Sequence, residues 1–199
     1  MPRAGLTREV VVAEAAQVAD RIGYERLTLA AVAERFGVAV PSLYKHVAGL
    51  GALRRELALL SITQLGRALH DATASGDDLG LIAHAYRDFA RSHPGRYAAT
   101  IRAADPSDDQ LVAASDDVLG IVLGVLAGYG IRNAAAIDAA RTLRSALHGF
   151  VTLEAAGGFG IPQDVDRSFE RMVEMLDAAM RTWGPRGASR YRRRSGATA

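Results

Sequence analysis

The sequence predicts an all-α protein: an N-terminal three-helix unit containing a helix-turn-helix, followed by a helical bundle. Three observations predict it. Apolar residues recur at spacings of three and four and rarely at two, which is the helical period. Residues 27–47 carry two short apolar sets separated at Gly37, a residue able to take the positive φ of a helix end. Near the C-terminus, Phe169, Val173, Leu176, Met180 and Trp183 step by 4, 3, 4 and 3, the seam of a helix that packs on others.

About nine helices and no strands follow from this period. The first, residues 6–22, places Val11, Ala15, Val18, Ala19 and Ile22 on one face. Behind the Gly23-Tyr24 turn, Thr28 caps the second through its hydroxyl, and Leu29, Val32, Ala33 and Phe36 run to Gly37. The third uses Val40, Leu43 and Val47. Ala33 is small enough for a close helix crossing, and Leu43 supplies the apolar plug. Residues 50–74 form a long fourth helix with Leu53, Leu57, Leu60 and Gln64 on one face. Asp77 or Asp78 starts the fifth, which ends at Pro94, because the residue before proline leaves the α region. A short helix covers residues 95–103. Ser107-Asp108-Asp109-Gln110 reads as a capping box opening the seventh, to Tyr129. Asn133 is expected to cap the eighth, to Ala156. The loop 157–163 holds three glycines and one proline, and Asp164 or Asp166 opens the last helix, to Trp183. The tail 184–199 has no apolar face to bury and reads as unstructured.

The second helix-turn-helix arm is polar on its outer side. Ser42, Tyr44, Lys45 and His46 can donate to phosphates or bases, which suits a major groove. Lys45 is the candidate for guanine O6/N7, and Val40 and Pro41, beside Ala39, can pack on a thymine methyl. Thr28, Ser42, Tyr44 and His46 suit phosphates. The competing readings are a core-edge aromatic for Tyr44 and an internal hydrogen bond for His46.

These residues resemble the DNA-binding domain of the TetR family of bacterial transcriptional regulators. The run Gly37-Val38-Ala39-Val40-Pro41-Ser42-Leu43-Tyr44-Lys45-His46-Val47 is similar to that family's G-V-x-x-x-x-L-Y-x-H-F signature. It departs at Val47, where the family usually has Phe, and at Leu50, where it usually has a phosphate-binding Lys. Lys45, Arg54 and Arg55 are the candidates to replace that lysine. A second resemblance covers residues 143–159, through Leu147-His148-Gly149-Phe150 and Leu153-Glu154-Ala155-Ala156-Gly157-Gly158-Phe159. It looks like a C-terminal domain type found on some TetR-like regulators, often with Trp-His-Gly where Leu147 stands. The resemblance implies a DNA-binding domain over 1–49, a ligand-sensing and dimerising domain over 50–183, and the basic tail 184–199.

Composition fits. The chain has 199 residues, 49% apolar and 23% charged, an ordinary globular balance. Residues 1–55 hold 8 Lys+Arg against 5 Asp+Glu, residues 56–183 hold 11 against 17, and residues 184–199 hold 5 Arg and no acid. A basic head on an acidic body touches DNA with the head alone. Cysteine is absent, consistent with a reducing cytosol. Residues 6–22 are too charged for a signal peptide, and the longest apolar run, 118–131, is short for a ~30 Å bilayer. No membrane partner, no cofactor and a cytoplasmic location are therefore expected.

In the body, Gly120, Gly124 and Gly128 share a face where another helix crosses closely or a ligand chamber opens. Tyr86, Phe89, His93 and Tyr97, with Leu119, Leu123 and His148, are candidate ligand contacts for an apolar or aromatic effector, or an ordinary aromatic core. His148 and Glu154 lie six residues apart, about 600° around a helix, so they form no catalytic pair, and no metal-ligand spacing occurs. Leu143, Leu147 and Val151, with Phe169, Val173, Leu176 and Met180, are the candidate dimer interface, or else intramolecular core. A homodimer is expected because paired recognition helices must sit ~34 Å apart. The expected function is a repressor on a palindromic operator, released by an effector. The alternatives are an activator, an effector-independent regulator, or an α-helical carrier of apolar ligands; the chain is not expected to be an enzyme.

Overall fold

Thr7 sets the first helix: its hydroxyl accepts the Val10 N–H at 3.3 Å, and α1 runs Arg8–Ile22. The computed structural model describes residues 6–74 and 78–183, so Asp77 and the tail 184–199 lie outside the described residues. Among the described residues there are no strands. The elements are α1, a 3-10 turn Tyr24–Arg26, α2 Leu29–Phe36, a 3-10 segment Val40–Lys45, α3 Leu50–Thr73, α4 Leu79–Ser92, α5 Pro94–Ala99, α6 Asp109–Gly128, α7 Asn133–Ala155 and α8 Val165–Arg181. The fold is all-α, as the period predicts.

The head closes over Val11, Ala15, Val18, Ala19, Leu27, Val32 and Leu43, none more than 1% exposed. Thr28 caps α2 by accepting the Ala31 N–H at 3.1 Å. Gly37 ends that helix at φ +63°, where the N–H groups of Gly37 and Val38 reach the carbonyls of Glu34 and Ala33. Leu53 and Leu57 of α3 and Ala99 of α5 complete this core. Helix α3, ~36 Å long, then carries Leu65 and Leu69 into the body core. Arg55 of α3 meets Asp108 at the start of α6, and farther along Gly66 meets Val118. The two helices therefore run parallel away from the head.

Five expectations change. The cap of α6 is Asp108, which accepts the Leu111 N–H at 3.2 Å, while Ser107 turns back to Asp105. Asn133 does not cap α7; it begins the helix, at φ +55°. The short α5 stops at Ala99, four residues early. Gly120, Gly124 and Gly128 face neither a helix nor a chamber: a Cβ on any of them would meet nothing within 4 Å. Taken as a whole helix, α6 is long and apolar enough to cross a membrane by length and composition, although Asp116 and Asp117 stand on it.

The seam of the last two helices packs within the chain. Leu143, Leu147, Val151, Phe169, Val173 and Met180 are buried inside the single chain, with Leu176 packed against the same cluster. Their spacing records intramolecular packing, each large side chain gaining ~1.5–3 kcal/mol by leaving water. Leu176 alone of the seven stays half-buried. Leu153 and Met175, on the other faces of α7 and α8, are 52% and 73% exposed.

Candidate nucleic-acid interface

Pro41 has no N–H and sits in the first turn of the recognition segment, which tightens into a 3-10 helix instead of the expected α-helix. Its bonds run from Ser42 N–H to Ala39 and from His46 N–H to Leu43, each 2.9 Å. Three residues per turn align side chains at i and i+3. Val40, Leu43 and His46 therefore form the inner stripe, half-buried, buried and half-buried. Pro41 and Tyr44 form one outer edge, and Ser42 and Lys45 the other, with Ala39 and Thr28 exposed beside them. Tyr44 is 58% exposed, so it is no core-edge aromatic. The His46 imidazole makes no hydrogen bond among the described residues, yet it sits half-buried on the inner stripe.

Most head arginines are already engaged. Arg8 pairs with Glu56, and Arg26 donates to the Ile22 carbonyl. Arg35 meets Glu14 at 2.6 Å. Arg54 donates to the Glu25 carbonyl at 3.1 Å and lies over the Tyr24 ring. Arg55 binds both oxygens of Asp108 at 2.6 Å. Arg54 and Arg55 thus hold the head together and onto α6, and do not replace the missing lysine at Leu50. Lys45 makes no hydrogen bond or ion pair among the described residues and is the only lysine in the chain.

Helix α5 links the head to the body. Gly95 presses so closely on α1 that an added Cβ would lie under 3.0 Å from the backbone of Ala19 and Asp20. Asp20 accepts the Arg96 N–H at 2.9 Å and pairs with the Arg96 guanidinium at 3.0 Å, with His93 at 3.6 Å. Two residues along, Tyr97 turns into the body: its hydroxyl lies 2.8 Å from that of Tyr86 and 2.6 Å from His148 Nδ1. Every proton is used if Tyr86 donates to Tyr97 and Tyr97 to a neutral His148. Burial pushes both phenols above their ordinary pKa. Arg144 holds the far end of α5 through the Thr100 and Ile101 carbonyls.

The structure brings Tyr86, Tyr97 and His148 together, with Phe89 edge-on to His93 and Leu119 and Leu123 packed on the same core. Phe89 and Tyr97 are 6% and 7% exposed. Sequence reading missed Arg87, which is 4% exposed, bonds Glu154 and Asp166, and lies over the Phe150 and Phe169 rings. An arginine in an apolar stripe was the available signal.

Known proteins match both halves. Residues 11–48 match bacterial regulatory proteins of the tetR family, and residues 79–176 match the tetracyclin repressor-like C-terminal domain. The chain is 37% identical over 186 residues to the HTH-type transcriptional regulator YobS of Bacillus subtilis, covering 92% of this chain and 93% of that one. It is 40% identical over 181 residues to the HTH-type transcriptional regulator Rv0681 of Mycobacterium tuberculosis, covering 89% and 83%. The fold is similar to that of ActR from Streptomyces coelicolor, solved in complex with (S)-DNPA, with a TM-score of 0.64 at 16% identity over 91% and 100% of the two chains. A helix-turn-helix carrying the family's signature, a matching C-terminal domain and two full-length relatives lead to one assignment: the chain belongs to the TetR family of helix-turn-helix transcriptional regulators, and not to a family of enzymes.

Proposed function

We propose that the chain is a cytoplasmic homodimeric repressor that holds a palindromic operator and leaves it when a small apolar or aromatic effector binds the body. The observation that carries this reading is the outer edge of the recognition segment. Lys45, Tyr44, Pro41 and Ala39 are exposed there, with Ser42 half-buried beside them, while neighbouring arginines are engaged within the chain. Lys45 reads a guanine, Ala39, Val40 and Pro41 pack on thymine methyls, and Thr28, Ser42 and Tyr44 hold phosphates, with His46 a weaker contact from the inner stripe. The first turn of α3 has no side-chain cap, so its N–H groups take the phosphate that Leu50 cannot.

The dimer forms through the outward faces of α7 and α8, around Leu153 and Met175. Functionally the chain divides near Gly49 and Trp183, into reading head, sensing body and basic tail. Effector release follows from linkage. A ligand that binds better when the two heads are splayed weakens operator affinity by the same coupling, ~1–3 kcal/mol. Helix α5 is the link, fixed to α1 through Gly95 and Asp20 and to the body through Tyr97. The ligand-bound ActR supports a small molecule as the signal.

Footprinting across the promoters beside its own gene tests the reading. A protected palindrome bound ~10³-fold above random DNA, weakened about tenfold or more by Lys45→Ala, is expected. Equal weak binding to all sequences, untouched by that change, would refute it.

A further inference from the structure

Helices α3 and α6 do not close along their whole length. At Gly66 they touch: an added Cβ would lie 3.2 Å from Val118. Beside that contact a hollow of about 410 Å³ opens, lined by Ile62, Gly66, Arg67 and His70 of α3 and by Asp117 and Ile121 of α6. Residues 62, 66 and 70 follow one stripe of α3, and 117 and 121 one stripe of α6, so the hollow is a groove between parallel helices. Ile62 is buried and Ile121 half-buried, giving an apolar floor. Arg67 and His70 stand exposed on one rim and Asp117 on the other; none of the three side chains makes a hydrogen bond or ion pair among the described residues. Arg67 and Asp117 face the same space without bridging it, and the space is of small-molecule size.

We propose that this groove binds a small amphiphilic monocarboxylate and that the effector acts here. The inference rests on the effector part of the reading above. The Arg67 guanidinium offers two parallel N–H groups, the geometry that grips a carboxylate, and His70 adds a third donor one turn along. The apolar body of the ligand lies on Ile62 and Ile121. Asp117 repels a second negative charge, so one carboxylate fits better than two. The groove is not the aromatic cluster: Leu119 and Leu123 sit two residues, about 200°, around α6 from Asp117 and Ile121. It is placed to act on DNA binding. Twelve residues headward of Arg67, about 18 Å along α3, Arg55 fastens α3 to Asp108. A ligand wedged between the helices works against that fastening.

Three probes of one chain length test it on the full protein by calorimetry: octanoate, octylamine and 1-octanol. Octanoate is expected to bind once per chain and tighter than the other two. Arg67→Gln should weaken octanoate about tenfold, ~1.4 kcal/mol, and leave octanol within about twofold. Ala114 of α6 also lines the groove, and Ala114→Phe, which fills it, should abolish both. Tighter octylamine, octanoate indifferent to Arg67→Gln, or no octanoate binding at about 10 mM would each overturn the site. Octanoate that binds here yet leaves operator affinity unchanged would overturn its effector role. Failure of ligand-free protein to select an operator would strike the regulator reading instead, so the two failures are distinguishable.

Discussion

The head and the body bury their interiors differently. The buried cluster of the head is aliphatic and small, valines, alanines and leucines, with its arginines on the rim. The body buries Arg87 and joins Tyr86, Tyr97 and His148 through hydrogen bonds that cross three helices. An apolar core is indifferent to direction, but a buried polar group is satisfied only when its partners stand at one distance and angle. The head is thus a rigid reading unit. The body is where a change in helix position alters which polar groups are satisfied.

The largest effect is expected where the two meet. Gly95→Val forces a side chain into the α1 backbone, costing about 3 kcal/mol or more in chemical denaturation and splitting the unfolding of head and body into separate transitions. A single unshifted transition would break the comparison, because the head would then not need that contact. Within the head, Leu43→Ala removes the plug between the helices and should cost about 3 kcal/mol, with operator binding lost in parallel. Within the body, Arg87→Met should cost about 2–3 kcal/mol, less than the loss of a fully buried pair, because Glu154 and Asp166 keep some contact with water. Near-neutrality on denaturation would make Arg87 dispensable packing. Tyr97→Phe leaves His148 and Tyr86 without their shared partner and should cost about 1–2 kcal/mol. It should also loosen α5, read as faster amide exchange at Ala98 and Ala99; unchanged exchange there would separate the hydroxyl from the coupling.

The smallest effect is a pH dependence at the far end of the body. Tyr129 donates to Asp177 at 2.5 Å, and burial with that carboxylate pushes the phenol up to about 12. A raised pKa means the folded state holds the proton more tightly. This stability is whole below pH 10 and disappears as pH rises from 10 to 12. Arg181 and Tyr129 hold Asp177 below the usual carboxylate range, so its contribution is whole above about pH 4 and falls away in more acid solution. Tyr129→Phe should shrink the loss of stability above pH 10, leaving the part owed to the buried Tyr86 and Tyr97, and keep most of the acid limb of Asp177, which Arg181 sustains. An alkaline limb unchanged by that substitution would place its whole origin elsewhere.

Much of this was legible residue by residue. Thr28 and Gly37 announce their helix ends because capping is local chemistry, an oxygen near a free N–H and a residue tolerant of positive φ. Leu43 and Ala33 announce the crossing because size and spacing suffice. The seam of α8 was legible as buried but not as to what buries it, since a 4-3-4-3 step is the same whether the facing helix belongs to this chain or another. The polar, exposed side of the second helix-turn-helix arm was legible, yet its arrangement was not: the segment is a 3-10 helix, whose three-residue turn carries His46 to the inner stripe.

The sequence by itself determined the helical class, the helix-turn-helix and its polar outer edge, because period, capping and turn chemistry act over a few residues. Only the tertiary structure decided which charges remain open to a partner. Arg54, Arg55, Arg87 and Lys45 look alike as letters. Three of them find acceptors on segments remote in sequence, at Glu25, Asp108 and Glu154, and Lys45 finds none among the described residues. A cation's availability is set by what folds against it, and that is a property of three-dimensional neighbours rather than of order along the chain.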